Sequence, residues 1–339
     1  MPPARVRSSG RNPVFRPDQS VEEENAPCQV GQGKPGRGIH VKVLFWGTPD
    51  FAVPSLRALQ EEGHLVIAVV TQPDRPAGRG RTVRKGPVKQ EADDEGIPVL
   101  QPDDPNSPEF VATLRDLGAE ISVVVAYGRI LSEEVINLPE RGTINVHASL
   151  LPGLRGAGPI NWAIIRGHEN TGVTIMRVVP ELDAGPILYR VETRFQDEIT
   201  AGELAERLAE VGATALVESL AQMEASDLPE TEQDHEKATY APKLSRETAR
   251  LDWSLDAEQL GRWIRGCDPL PAAWTMLDGA QVQLFGPTPL DVPAEADPGT
   301  VLRADSKRGL AVATGRGVLE VAEVRPEGRS RMDATAWIS

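Results

Sequence analysis

The strongest constraint on the fold is a regular alternation of short apolar runs with helical patterns between Val41 and His147. Strands that are buried on both faces appear as continuous apolar runs, and intervening helices connect them as parallel neighbours. The predicted strands are Val41–Trp46, Leu65–Thr71, Pro98–Leu100, Ile121–Ala126 and Gly142–His147, and the predicted helices are Pro54–Glu62, Val88–Glu95, Pro108–Leu117 and Ser132–Ile136. The sequence therefore predicts an α/β domain built on a mostly parallel sheet.

The pattern changes after His147. Residues 172–179 and 185–195 predict a hairpin, and residues 200–224 predict an amphipathic helix whose apolar face packs on the core. Residues 225–245 are polar and predict a linker. After one helix at 256–266, the short strands of residues 246–339 are separated by Gly/Pro turns, which predicts a small β-barrel domain. The predicted division is an extension at 1–40, a first domain at 41–224, the linker and a second domain at 246–339.

Residues 1–40 are rich in Arg, Pro, Gly and Glu and show neither helical nor strand periodicity. Such a segment buries too little apolar area to offset its chain entropy, so it predicts a disordered extension. A misassigned start site fits equally well, because the ordered pattern begins abruptly at Val41.

Composition excludes several classes of protein. With two cysteines, Cys28 and Cys267, the chain is neither a disulfide scaffold nor a thiolate zinc protein, and it fits a reducing, cytoplasmic environment. Apolar runs stay below the roughly 18 residues of a membrane span. The net charge of −14 argues against a nucleic-acid partner. However, residues 192–239 alone hold 13 acidic and 3 basic side chains, a net −10, so the total is an average of dissimilar regions.

The run Asn145–Pro152 (NVHASLLP) is the strongest candidate for chemistry. Alternate residues of a strand face the same side, so Asn145 and His147 point together from the carboxyl end of a strand, where ligands of open α/β sheets bind. An amide beside an imidazole makes a donor pair for a carbonyl oxygen that becomes negative during acyl transfer. The alternative is a hydrogen-bonded His–Asn pair in the core.

Asp183 lies at a tight turn between two strand-like runs. Asp near Gly is frequent in turns for conformational reasons alone. A carboxylate near His147 would instead favour the charged imidazole or relay a proton from an attacking amine. The sequence leaves both interpretations open.

A run of six cations without an intervening acid follows the second predicted strand: Arg75, Arg79, Arg81, Arg84, Lys85 and Lys89. The two interpretations are a solvated basic loop and an electrostatic arm for phosphates. Because residues 73–87 contain no aromatic side chain, base stacking by this loop is disfavoured.

Three other kinds of site are disfavoured. No His, Cys or carboxylate cluster has metal-ligand spacing, so we expect no metal. Ser149 is not in a Gly-x-Ser-x-Gly elbow, and the cysteines have no base nearby in sequence, so nucleophilic catalysis by a side chain is disfavoured. Residues 47–50 (GTPD) lack the three-glycine dinucleotide fingerprint, which disfavours a nicotinamide dehydrogenase.

Together these motifs resemble the methionyl-tRNA formyltransferase family. The resemblance is carried by residues 43–54 (VLFWGTPDFAVP), 73–80 (PDRPAGRG), 145–152, 155–156, 182–185 (LDAG), 239–244 (TYAPKL) and 251–253 (LDW). It implies a Rossmann-like formyltransferase domain and a C-terminal OB-like β-barrel that binds tRNA. It also implies transfer of a formyl group from 10-formyltetrahydrofolate to the α-amine of methionyl-initiator-tRNA, by a cytoplasmic monomer without metal.

Position by position, the resemblance implies a catalytic trio of Asn145, His147 and Asp183. It implies a folate site made by Ser149, Leu150, Leu151, Pro152 and the pterin-side loop Arg129, Ile130 and Leu131. The six cations would contact the acceptor end of the tRNA, with Arg79 the most critical. The chain departs from the family pattern at residues 153–154, 157–161 and 184–186, and it stops at Ser339, short of the family's usual end.

Two alternatives share these residues. A formyltransferase acting on an amino sugar nucleotide or on glycinamide ribonucleotide would use the same acyl-transfer groups, but it has less need of the basic loop and the second domain. A catalytically inactive folate- or tRNA-binding protein would not need an intact Asn145, His147 and Asp183 set.

Overall fold

The computed structural model describes residues 41–77, 82–226 and 228–339. The strands of the first part are β1 (Lys42–Gly47), β2 (Leu65–Val70), β3 (Arg75–Ala77), β4 (Thr82–Arg84), β5 (Val99–Leu100), β6 (Ile121–Val125), β7 (Thr143–His147), β8 (Asn170–Arg177) and β9 (Ile187–Arg194). Its helices are α1 (Val53–Glu61), α2 (Pro87–Asp94), α3 (Pro108–Leu117), α4 (Glu133–Ile136), α5 (Pro159–Ile165) and α6 (Ala201–Glu224).

A seven-stranded sheet in the order β5-β2-β1-β6-β7-β8-β9 forms the centre of this domain. Pairing is parallel from β5 to β7 and antiparallel between β7, β8 and β9. The mostly parallel sheet and the predicted hairpin are both confirmed. The carboxyl ends of β1, β2, β6 and β7 consequently lie along one edge of the sheet.

Alternation within the strands divides the core between the two faces of the sheet. On β1, Val43 and Phe45 contact the apolar cluster that includes α1, α2 and α6. Leu44 and Trp46 contact the opposite cluster, formed with α3 and α4. Because each face is buried by helices, the strands must be apolar on both sides, which is the pattern that the sequence shows.

Helix α6 covers the back of the strand that carries Asn145 and His147. It begins with a capping box in which the Thr200 hydroxyl accepts from the Glu203 amide and the Glu203 carboxylate accepts from the Thr200 amide. At Gly212 a Cβ would lie 2.9 Å from the Val146 side chain, so α6 contacts this face of β7 closely. Residues 145 and 147 therefore face the other side of the sheet.

The second domain is a curled antiparallel sheet with a helix at each end of its sequence. It contains α7 (Ala257–Cys267), β10 (Trp274–Leu277), β11 (Ala280–Leu290), β12 (Val301–Asp305), β13 (Gly309–Ala313), β14 (Val318–Pro326), β15 (Met332–Asp333) and α8 (Ala334–Ile338). The order is β10-β11-β14-β13-β12, with β15 on β14. The predicted barrel-like β domain is confirmed as a half-barrel, since in the described residues β10 and β12 do not pair.

The two domains belong to one compact unit and meet through α5 and α7. The rings of Trp162 and Trp263 are in edge-to-face contact with centroids 6.0 Å apart. The Asn161 amide donates to the Gly266 carbonyl at 2.7 Å, and a Cβ on Gly266 would lie 2.5 Å from Ile165. These close contacts fix α7 against the first domain.

Two sequence predictions differ from the structure or lie outside it. The segment after Thr71 is more ordered than a loop, because β3 and β4 form an antiparallel hairpin within it. Residues 1–40, predicted as a disordered extension, lie outside the described residues.

In the parts of the chain that the structure describes, no helix is both long and apolar enough to cross a bilayer. Burial raises the pKa of the Cys267 thiol to about 12, so this thiol is not a nucleophile at neutral pH.

Candidate functional site

His147 is the last residue of β7, and one of its two ring nitrogens is held by the backbone. The side chain is 6% exposed. Its Nε2 lies 3.0 Å from the carbonyl oxygen of Leu154, and because a carbonyl only accepts, Nε2 carries the proton. Nδ1 is therefore the nitrogen available to a ligand or to a proton in transfer.

Asp183 lies next to this second ring nitrogen. Its Oδ2 is 3.7 Å from Nδ1 of His147, which is ion-pair distance but too long for a hydrogen bond. The same Oδ2 accepts from the Gly156 amide at 2.7 Å. In the described part of the chain, Oδ1 has no hydrogen-bond partner. The tertiary structure thus brings Asp183 to His147 across 36 residues of sequence.

Asn145 completes the group on the same face of β7, two residues before His147. It is partly exposed, whereas Val146 between them is buried. Within the described residues its side-chain amide makes no hydrogen bond. An unengaged amide beside a buried imidazole is not explained by a satisfied core pair, since such a pair would have its donors bound.

The segment after β7 is held by Thr174, which is fully buried on β8 opposite His147. The Thr174 hydroxyl donates to the Ser149 carbonyl at 2.6 Å and accepts from the Leu151 amide at 3.2 Å. Ser149 and Leu151 are buried, while Leu150 and Pro152 are partly exposed. The side chains that a ligand can reach in this segment are therefore those of Leu150 and Pro152.

The loop Arg129–Leu131 lies at the same edge, because it follows β6, the parallel neighbour of β7. Ile130 is 82% exposed, whereas Leu131 is buried in the core against α4. The Arg129 guanidinium donates to the Asp103 carbonyl, and the Asn106 amide donates to the Ile130 carbonyl at 3.1 Å. Hydrogen bonds with Asp103 and Asn106 hold this loop in place, and its Ile130 side chain is exposed to solvent.

The six predicted phosphate-binding cations have different surroundings. Arg79 and Arg81 lie outside the described residues, and Arg75 begins β3. Arg84 is exposed at the end of β4. Lys85 donates to Asp93 at 2.7 Å, and this hydrogen bond raises the pKa of Lys85 above its ordinary value.

Lys89 braces the base of the hairpin. It is half-buried and donates to Asp74 at 2.6 Å and to Gln101 at 2.7 Å. Gln101 in turn donates to Asp74 at 2.9 Å and to the Gln72 carbonyl at 2.9 Å. The hydrogen bond from Lys89 is the largest of the effects that lower the pKa of Asp74. This network fixes both chain ends of the hairpin.

Several residues of the site carried no signal as catalytic groups in the sequence. The Leu154 carbonyl and the Gly156 amide act through backbone atoms, and the nearest sequence signal is the Arg155-Gly156 pair of the family pattern. Gln233 donates to the carbonyls of Asp183 and Gly185 from within the polar 225–245 segment, where nothing distinguishes it from its neighbours. Among the described residues no group of three His, Cys, Asp or Glu side chains is placed to hold a metal ion.

Two family models match the chain. Residues 40–220 match the formyl transferase model, and residues 243–339 match the model of the formyl transferase C-terminal domain. Together they cover most of the chain, and the interval between them, residues 221–242, runs from the last turn of α6 into the polar segment that separates the two sheets.

Two curated relatives are similar over nearly their whole length. Methionyl-tRNA formyltransferase of Methylococcus capsulatus is 45% identical over 299 residues, which is 88% of this chain and 96% of the relative. Methionyl-tRNA formyltransferase of Moorella thermoacetica is 45% identical over 298 residues, again 88% and 96%.

A solved structure shares the fold at lower identity. HypX from Aquifex aeolicus, crystallised in complex with tetrahydrofolic acid, matches with a TM-score of 0.62 and 18% identity over 88% of this chain. The chain spans about half of HypX, 47% of its length. With 45% identity over whole relatives and both family domains in order, the chain belongs to the methionyl-tRNA formyltransferase family.

Proposed function

We propose that the protein transfers the formyl group of 10-formyltetrahydrofolate to the α-amine of methionyl-initiator-tRNA, giving formylmethionyl-tRNA for translation initiation. The observation that carries this proposal is the unengaged Asn145 amide beside the His147–Asp183 pair, at the carboxyl edge of a sheet in a chain of this family. Such an arrangement suits acyl transfer to an amine, because it offers donors for an oxyanion and an acceptor for a proton.

The reaction exchanges one C–N bond for another. The methionyl nitrogen bonds to the formyl carbon and loses a proton, while the bond from that carbon to N10 of the folate breaks and N10 gains a proton. The negative charge that develops on the formyl oxygen needs donors that are already oriented. The Asn145 amide is such a donor, and in the protonated ring Nδ1–H of His147 is a second one, since Nε2–H is committed to Leu154.

Asp183 has two tasks in this mechanism. Its carboxylate, 3.7 Å from Nδ1, stabilises positive charge on His147. Oδ2 is oriented by the Gly156 amide, and this leaves Oδ1 to accept the proton of the attacking amine directly or through water. No covalent enzyme intermediate is needed, which agrees with the burial and high thiol pKa of Cys267.

We assign the folate to the edge between the Arg129–Leu131 loop and the Ser149–Pro152 segment. The exposed Ile130 and the partly exposed Leu150 and Pro152 offer apolar contacts to a planar ring. Buried Ser149 and Leu151 act through the backbone shape that Thr174 fixes. The co-substrate supplies the formyl group, and these residues hold it against His147.

We assign the acceptor end of the tRNA to the basic hairpin and to the second domain. The hairpin follows β2, three strands from β7 at the same carboxyl edge, or about 14 Å at the usual strand spacing. The Lys89–Asp74–Gln101 network holds the base of this hairpin. A small amine acceptor needs neither feature. We further propose that the protein acts as a monomer in the cytoplasm, where its buried thiol stays reduced.

The direct test is a formylation assay with the purified chain. Incubation with 10-formyltetrahydrofolate and methionyl-initiator-tRNA should give formylmethionine after hydrolysis of the ester, at a rate above that of a matched sample without protein. A parallel sample with an amino sugar nucleotide should give no formyl product. Absence of product on the tRNA together with product on the small amine would reject the proposed substrate.

Salt dependence tests the assignment of the hairpin to phosphate. We expect tRNA affinity to fall steeply with salt, and Arg79→Ala and Arg81→Ala each to flatten the log–log slope by about one phosphate contact, roughly 0.7–0.9. Titration of tRNA by fluorescence anisotropy at four salt concentrations measures this slope. Arg115→Ala, an exposed arginine on α3, is the matched control and should leave the slope unchanged. Unchanged slopes in both hairpin variants would contradict the assignment.

A further inference from the structure

The turn that carries Asp183 holds a conformation that this residue does not favour on its own. Asp183 has a φ of +48°, in the left-handed region where a side chain is strained. At Gly185 a Cβ would lie 2.0 Å from the Arg177 carbonyl, so the turn lies directly against the end of β8. Strained backbone at a functional site persists only where the surroundings enforce it.

Gln233 supplies that enforcement from the 225–245 segment. It is 4% exposed, and its side-chain nitrogen donates to the Asp183 carbonyl at 2.9 Å and to the Gly185 carbonyl at 2.7 Å. One amide group therefore binds both sides of the turn. A displaced turn would leave the buried Gln233 amide and the two carbonyls without partners. The free-energy cost of burying unpaired polar groups is larger than the net stability that the hydrogen bonds add, so the turn is held in place.

Arg155 fixes the orientation of the Gln233 amide. Its Nε and Nη2 donate to the Gln233 oxygen at 3.1 and 2.6 Å, and the guanidinium is itself buried, with Nη2 3.1 Å from Nδ1 of His235. Because a guanidinium only donates and the two carbonyls only accept, a single orientation of the Gln233 side chain satisfies every partner.

The three consecutive residues 154–156 contact both proposed catalytic side chains, His147 and Asp183. Leu154 accepts from His147, Gly156 donates to Asp183, and Arg155 between them holds Gln233. The chain on either side of Gln233 is also fixed, since Thr231 exchanges two hydrogen bonds with Ile187 and Arg155 pairs with residues 239 and 241. Residues 231–241 are thus built into the catalytic domain.

We propose that Gln233 is a positioning residue for the formyl transfer, which sets the place of the Asp183 carboxylate against His147. This inference rests on the proposed function and assigns it a further residue, located in the segment between the two family domains. Gln233 touches neither substrate in this role. It acts by keeping the Asp183 turn within the small tolerance that reacting groups require, where a displacement of about 1 Å can cost a factor of 10² in rate.

The Gln233→Glu variant distinguishes a role in positioning Asp183 from a general contribution to the stability of the fold. The new carboxylate keeps an acceptor for Arg155, so the buried guanidinium stays paired, but it has no hydrogen to give to the two turn carbonyls. We expect the variant to remain folded with a Tm below that of the wild type, because two buried carbonyls lose their donor. At a temperature where the variant is fully folded, kcat for formylation should fall about 10- to 100-fold while KM for the tRNA changes less than threefold.

Gln222→Glu is the matched control. Gln222 lies on α6 and lines the same surface cavity of about 500 Å³ as Gln233. Its side chain makes no hydrogen bond to any residue that the structure describes. The same substitution there should leave kcat within twofold of the wild type. A Gln233→Glu protein that is folded and keeps kcat within twofold, or equal losses in both variants, would overturn the proposal.

A measurement without tRNA keeps this test independent of the proposed reaction. In NMR spectra of the ligand-free protein, Gln233→Glu should move the His147 ring resonances toward their positions in Asp183→Asn, and Gln222→Glu should leave them in place. Unmoved His147 resonances would refute the positioning role whatever the substrate is. A wild-type protein that does not formylate methionyl-tRNA would refute the proposed function and leave this readout intact.

Discussion

Replacement of Asp183 by asparagine is expected to reduce kcat for formyl transfer by about 10² to 10⁴, the usual contribution of a positioned acid or base. Asparagine tolerates the left-handed backbone that the turn requires, and its amide oxygen can still accept from Gly156. The fold and the turn should therefore be retained. The lost properties are the negative charge beside Nδ1 of His147 and the acceptor for the amine proton.

Single-turnover kinetics with saturating tRNA measure this loss, and a binding titration should show tRNA affinity within about twofold of the wild type. Glu181→Gln is the matched control, because Glu181 is an exposed carboxylate two residues away on the same turn. It should leave kcat unchanged. Near wild-type turnover in Asp183→Asn would remove the carboxylate from the mechanism.

His147→Ala is expected to lower kcat by about 10² to 10³, the effect of removing one donor from a preorganised oxyanion site. The variant removes Nδ1, the proposed donor to the oxyanion in the protonated ring, and Nε2–H, which the Leu154 carbonyl accepts. Because the imidazole is buried, the substitution also leaves a void, so Tm must be measured beside kcat. Rates are then compared at a temperature where the variant is fully folded.

The control for this variant is His168→Ala, an exposed histidine that follows α5. His147→Gln gives a second comparison, since its amide can replace one hydrogen bond but cannot carry a positive charge. We expect His147→Gln to remain well below the wild type. Turnover above half of the wild-type value in His147→Ala would show that the imidazole does not stabilise the oxyanion.

Much of the fold could be predicted because its local signals agree with one another. The Thr200–Glu203 capping box begins α6, and Asp256 with Gln259 makes the same box at the start of α7. The strand pattern follows from burial on both faces of a parallel sheet. The hairpin β3–β4 was not predicted, because its residues are rich in Arg, Pro and Gly and lack any strand periodicity.

The site could be predicted only in part. Asn145 and His147 share a face because they are two residues apart in a strand, and their polarity at a buried strand end marks them. Lys89 illustrates the limit: in the sequence it is one more cation of a basic run, yet in the structure it braces Asp74 and Gln101. A charge run records how many cations there are and does not record which of them are already paired.

The sequence by itself determined the α/β order, the second β domain and the polar pair at the end of β7, because these depend on periodicity and on neighbours close along the chain. Only the tertiary structure decided which nitrogen of His147 is free, how Asp183 reaches it, and that Gln233 holds the turn. Those features depend on backbone carbonyls and on contacts between residues tens of positions apart. Their partners are fixed by packing, and no local pattern of residue types encodes them.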